Sequence, residues 1–394
     1  MKRILIVAPS MISAGGVEKL VDNLSRLFSG SYEVCIASFD PPGSMPYFQN
    51  DVPFHPLGDG KRLPLFFRFV TYIASARRLS QLKRALRADL TISVLWRADL
   101  INVLSRVQDA TISLAVINIL DNETNRLLVK LRGVVGYIYR RFDKILVIAP
   151  EIMSEYRQLY KVEAKKIDLF KTFLTRPNAL AYYRDEKPRF VACARMVREK
   201  NIEGLLHAFA HYGARHTGHQ LVVIGDGPLL EDMKSLALRL KLTYSTQPDS
   251  DAQVLFVGAI AKPEVFMVNA RGFLLTSRHE GVPTVVILAA SLGLPILAAD
   301  CYGGGVRLLF NLSPDEPLAS LSADDGVAAG RLLPIPEPGQ PDTLDAWAQA
   351  MEQAHSDPVR RQQWVDGALE LGSSRSPEAV RQHWISTIDS VLAS

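Results

Sequence analysis

The chain has 394 residues, 48% apolar and 22% charged, too long for one ordinary core and enough for two α/β domains with buried parallel sheets. Its three cysteines, Cys35, Cys193 and Cys301, stand too far apart for metal-ligand spacing and read as small buried hydrophobes of a reducing cytoplasm. The net charge of +4 is unevenly spread: 29 Lys and Arg stand against 18 Asp and Glu up to Arg189, and 16 against 23 beyond it. A basic half faces something anionic, nucleic acid or an anionic membrane surface being the candidates.

The start, "MKRILIVAPS", is far too short for a membrane span and lacks a cleavage region, so it reads as a first strand. Gly15 and Gly16 follow it and open a helix with apolar spacing at Val17, Leu20, Val21, Leu24 and Leu27. Two residues without Cβ atoms let backbone N–H groups approach an anion at a helix N-terminus, although the same pair also makes a plain tight turn. The pattern is not Gly-x-Gly-x-x-Gly, so it carries no dinucleotide fingerprint. A strand at "YEVCIASFD" follows, then "LPLFFRFVTYIASARRLSQLKRALRADL", where Leu79, Leu82 and Leu86 share a helical face amid Arg68, Arg77, Arg78, Lys83, Arg84 and Arg87. A basic amphipathic helix suits an interfacial membrane contact, and equally an ordinary helix packed on its sheet. The stretch "RLLVKLRGVVGYIYRRFDK" repeats the combination. Base-stacking aromatics are not interleaved with these charges, which argues against nucleic acid.

Fully apolar runs at "LTISVL", "TISLAVINIL" and "KILVIAP" complete a first strand–helix series. A linker rich in Pro and charge is expected near residues 175–188, and a second series runs through "RFVACARM", "HQLVVIGDG", "QVLFVGAI", "GFLLTS" and "PILAAD". Arg195 stands at the carboxyl end of the first of these strands and Lys200 on the loop or helical turn after it. Ligands bind at that edge in doubly wound folds, and a fork donor plus a point cation suit a diphosphate. Gly225 and Gly227, in a Gly-Asp-Gly-Pro turn, let backbone come close to a ligand. Glu280, followed by Gly281, Val282 and Pro283, lies just past the strand "GFLLTS" and precedes an apolar helix; a carboxylate there accepts hydrogen bonds from sugar hydroxyls, or merely favours the helix dipole. "PIPEPGQPD", 334–342, is a loop, and "PEAVRQHWISTIDSVLAS" is a closing amphipathic helix.

Arg-x4-Lys at Arg195 and Lys200, the Gly-Asp-Gly-Pro turn and "SRHEGVPTVVI" occur in this order from Phe190 to about Phe310. Together they resemble glycosyltransferase family 4, retaining enzymes of the GT-B architecture, with "GGVE" and the closing helix extending the likeness thinly to both ends. The resemblance implies an α/β fold of two doubly wound Rossmann-like domains facing a cleft. Residues 1–178 would form the acceptor-side domain, 179–375 the nucleotide-sugar domain, and 376–394 a helix crossing back. It implies that Arg195, Lys200 and Glu280 are catalytic, that Arg195 and Lys200 hold the donor diphosphate, and that Gly15 and Gly16 sit by its phosphates. Glu280, Gly281, Val282 and Pro283 would meet the donor sugar. Leu288 stands where the second Glu of Glu-x7-Glu grips the ribose, and Leu308 where a Glu is common. Ile117 and Asn118 stand on the acceptor side, where many relatives place a His near the acceptor.

The implied function is hexosyl transfer from a nucleoside-diphosphate sugar to a glycan or lipid-linked acceptor in polysaccharide, lipopolysaccharide or glycolipid assembly. The resemblance implies neither metal nor cofactor, no nucleic acid partner, and a peripheral place in the cytoplasm at the inner face of the cytoplasmic membrane. Alternatives are a sugar-nucleotide epimerase of the same architecture, or a non-catalytic GT-B-like subunit, for which Leu288 and Leu308 speak.

Overall fold

A computed structural model describes residues 1–13, 16–48, 50–58, 68–116, 132–177, 187–248, 250–312 and 329–393. Two compact units emerge: Met1–Phe173 with Pro377–Ser394, and Leu174–Ser376. The expected linker falls largely outside the described residues.

The first unit is built on a parallel sheet. Its strands are β1 (Arg3–Ala8), β2 (Glu33–Ser38), β3 (Phe54–Pro56), β4 (Leu90–Val94), β5 (Ala110–Ala115), β6 (Lys144–Val147) and β7 (Ile167–Leu169), in the order β3-β2-β1-β4-β5-β6-β7. Ile4 to Ala8 and Leu90 to Val94 are buried throughout, as strands covered on both faces must be. The order reverses between β1 and β4, and the helix Gly16–Phe28 begins just beyond β1. The closing helix Pro377–Leu392 also packs in this unit: Trp384, 1% exposed, meets the Phe28 and Phe170 rings at 5.6 and 5.5 Å, and the Tyr32 hydroxyl donates to Asp389 at 2.9 Å. Its buried face is Val380, Trp384, Ile388 and Val391.

The basic helix, for which the sequence left a membrane surface and a sheet equally open, turns its leucines to the sheet. It spans Arg68–Leu86, and Leu79 is fully buried in a cluster with Leu5, Val7 and Ile101, against which Leu82 and Leu86 also pack. The leucine stripe is therefore spent on the unit's own core. Lys83 is not solvated: its Nζ lies 2.9 Å from Asp109 and donates to Asn102 Oδ1 at 2.6 Å, with both ionised side chains sealed from water. In the second basic segment, the helix Arg132–Arg140 does leave Val134 and Tyr137 exposed. No described helix is long and apolar enough to cross a membrane.

The second unit repeats the plan with β8 (Arg189–Cys193), β9 (Gln220–Ile224), β10 (Tyr244–Ser245), β11 (Val254–Gly258), β12 (Gly272–Leu275), β13 (Ile296–Ala299) and β14 (Gly330–Leu333). The order is β10-β11-β9-β8-β12-β13-β14, again parallel. Here the order reverses between β8 and β12, the crevice position of doubly wound sheets. The Pro-rich segment after β14 is a loop leading into the helix Pro341–Ser356.

Candidate functional site at the β8 and β12 ends

β8 and β12 are neighbours in the sheet, and their carboxyl ends deliver the two sharpest sequence candidates, 80 residues apart, to each other. Lys200 Nζ donates to Glu280 Oε1 at 2.6 Å, and Ser277 Oγ donates to the same oxygen at 2.6 Å. Glu280 is 9% exposed, so its charge is held by a cation and a hydroxyl, which burial requires. It is not the helix-start carboxylate that the sequence left as the alternative, because the following helix, Thr284–Ser291, begins four residues later with no side-chain cap.

Lys200 ends a short 3-10 turn, Arg198–Lys200, rather than lying in a helix. Asn201 then takes a left-handed conformation and caps the helix Ile202–Gly213, its Oδ1 accepting from the Gly204 N–H at 3.3 Å. Thr276 Oγ1 donates to the Asn201 carbonyl at 3.1 Å and the Arg278 N–H to the Glu199 carbonyl at 2.8 Å, stitching the two strand ends together. Arg278 also forks onto Glu337 and reaches Asn201 Oδ1 at 3.2 Å. That hydrogen-bonded pair holds the Glu337 carboxyl below the usual carboxylate range.

Arg195 is exposed on the same loop, and its placement explains Gly225 and Gly227. The Met196 N–H donates to the Asp226 carbonyl at 2.9 Å. A Cβ on Gly225 (φ +135°) would overlap the Ala194 carbonyl, and one on Gly227 would come 2.7 Å from that of Met196. What approaches these glycines is the Arg195 loop itself. The turn Glu280–Pro283 is fixed in the same way. The Glu280 N–H donates to the Tyr302 carbonyl at 2.9 Å, and a Cβ on Gly305 would overlap the Gly281 carbonyl.

Val282 and Pro283 are buried. Leu288 lies within the helix Thr284–Ser291, 9% exposed, and Leu308 is half-buried on the short helix Gly305–Leu309. In the first unit Gly16 opens its helix at the end of β1, whereas Gly15 and Asn118 lie outside the described residues. Ser277, Asn201, Glu337 and the 303–305 glycines were missed by sequence reasoning. Only "GGG" offered a signal, a run whose conformational freedom needs a use.

Cys301 is buried beside this cluster, and burial together with Glu280 and Asp300 pushes its thiol up to about 12. It therefore remains a thiol at neutral pH.

Residues 187–315, which contain this whole cluster apart from Glu337, match the family described as Glycosyl transferases group 1. An uncharacterised glycosyltransferase of Methanocaldococcus jannaschii is 27% identical over 44% of the chain, a stretch spanning 43% of that relative. The amylovoran biosynthesis glycosyltransferase of Erwinia amylovora is 23% identical over 78% of the chain and 84% of its own length. The solved structure of Anabaena HepE in complex with UDP covers 99% of the chain and 100% of its own, with a TM-score of 0.73 at 16% identity. The chain thus has the two-sheet fold of GT-B glycosyltransferases, and its second unit carries a segment matching the glycosyl transferases group 1 family.

Proposed function

We propose that the chain is a retaining, metal-independent hexosyltransferase. It moves a sugar from a nucleoside diphosphate to a glycan or lipid-linked acceptor, in cell-surface polysaccharide or glycolipid assembly at the inner face of the cytoplasmic membrane. The observation that carries this reading is the Lys200–Glu280 pair at 2.6 Å, at the switch point of the second sheet. The family match over 187–315 and the UDP held by the Anabaena neighbour support it.

The chemistry follows from charge. When a glycosidic bond to a nucleoside diphosphate breaks, negative charge grows on the leaving phosphate, so cations fixed there act most strongly in the transition state. Arg195 offers a guanidinium fork and Lys200 an ammonium with N–H groups beyond the one given to Glu280. Glu280, anchored by Lys200 and Ser277, presents its second oxygen to sugar hydroxyls, with the Gly281 and Val282 backbone beside it. The Cys301 thiol, held protonated, offers no competing nucleophile.

A panel of UDP- and GDP-sugars with membrane lipid extract tests the reading: one donor is consumed only with acceptor, and the product's anomeric configuration by NMR matches the donor's. Donor isomerisation without acceptor, or an inverted product, would contradict it.

Leu288 motivates the second reading, a subunit that binds without transferring. Under the main proposal Leu288 only weakens the ribose grip. Leu288→Glu should then lower the donor KM by about tenfold to a hundredfold with little change in kcat, the worth of a charge-assisted hydrogen bond. If the natural protein transfers nothing and Leu288→Glu turns transfer on, the second reading holds.

A further inference from the structure

A cavity of about 540 Å3 lies against the loop that carries Lys200. Met196, Val197, Arg198 and Asn201 line it, whereas Arg195, Lys200 and Glu280 do not, so it adjoins the Glu280 cluster through Asn201 and Arg278 without including the Lys200–Glu280 pair. We propose that this cavity binds a small amphipathic anion, an apolar body with one phosphate or carboxylate.

The volume falls in the range of small-molecule sites. Its walls come from the helices Ile202–Gly213 and Leu230–Arg239, and Met196, Ile202, Leu229, Met233 and Leu236 supply an apolar lining. Arg198 and Arg239 also line the cavity. Both are exposed, and neither has a side-chain hydrogen bond or ion pair among the described residues. The third guanidinium, Arg278, is already engaged by Glu337.

Two carboxylates line the cavity as well. Glu203 and Asp232 lie in the first turns of their helices, where the dipole favours negative charge. Arg198 has no such local explanation, because it stands ahead of a helix start. A guanidinium on the loop and another on the last turn of Leu230–Arg239 leave the anion as the complementary group. An apolar lining below them selects against a bare inorganic ion.

Monohexyl phosphate is the probe, with inorganic phosphate and hexanol as its two halves. Calorimetry on the full chain should show monohexyl phosphate binding at least tenfold tighter than either half. Arg239→Gln and Arg198→Gln should each weaken it by about tenfold, a charge-assisted hydrogen bond. Arg195→Ala should leave it unchanged. Because Arg239 is exposed near the end of its helix, its variant should melt with the natural protein, which keeps the result readable. Binding no tighter than inorganic phosphate overturns the proposal, as does binding lost in Arg195→Ala and kept in Arg239→Gln. The cavity's effect on transfer rests on the reading above: with Lys200 on the shared loop, saturating probe should change the donor KM severalfold. Probe binding without any donor turnover would uphold the cavity and overturn the transfer reading.

Discussion

Two buried carboxyls of this chain live in opposite surroundings. Glu280 has an ammonium at 2.6 Å. Asp99 is 1% exposed and, among the described residues, receives only hydroxyls, from Ser93 at 2.7 Å, Ser113 at 3.0 Å and Tyr139 at 3.3 Å. Burial pushes its carboxyl up to about 7, and the hydroxyls draw it back only in part. The folded state therefore holds the proton more tightly than the unfolded one, whose aspartate titrates near 3.8. Stability from this group is full below that lower value and is lost as pH rises through 7. Asp99→Asn, which stays neutral, should match the natural protein near pH 4 and melt several degrees higher at pH 8. Parallel melting curves across that range would contradict the assignment. Legibility in the sequence divides in the same manner. Glu280 and Lys200 could be singled out because each follows an apolar strand, but their pairing could not, since nothing local joins residues 80 apart. Glu337 sits 59 residues from Arg278 in a Pro-rich loop, with no periodic signal to mark it.

At the scale of elements, amphipathic spacing reveals that a helix has an apolar face and leaves open what covers it. Residues 68–86 show the consequence, since the same stripe fits a membrane surface or a sheet and here lies on the core. Its fixing point is Lys83 with Asp109, which also accepts from Thr91 Oγ1 at 2.6 Å. Burial lowers the Lys83 ammonium and Asp109 opposes that shift. Removing one partner strands a buried charge, at a cost of about 3–5 kcal/mol, whereas replacing both with apolar groups is often neutral. Lys83→Met should accordingly destabilise strongly in urea unfolding, and Lys83→Met with Asp109→Leu should recover most of the loss. A double variant as unstable as the two losses combined would show that the pair is not coupled. The inner strands were legible as apolar runs, because a parallel sheet covered on both faces needs no alternation, whereas the short edge strands β3, β7, β10 and β14 carried no such run.

Across the whole molecule, alternating strands and helices reveal two series, and strand order is set by right-handed crossovers that composition does not record. Each sheet reverses its order beside its own first strand, between β1 and β4 and between β8 and β12. That reversal accounts for the meeting of Lys200 and Glu280, since β12 returns to pair with β8. The sequence placed Arg195, Lys200 and Glu280 at strand ends; the parallel pairing puts two of those ends side by side. The central claim is that this meeting point performs sugar transfer, and Glu280→Gln examines it with the least disturbance. The substitution keeps the shape and removes the charge that Lys200 and Ser277 hold. With the donor identified by the panel, steady-state kinetics should show kcat falling about a hundredfold or more, the usual consequence of losing a preorganised electrostatic contact. A variant that folds with the natural melting temperature and keeps kcat within twofold would contradict the account.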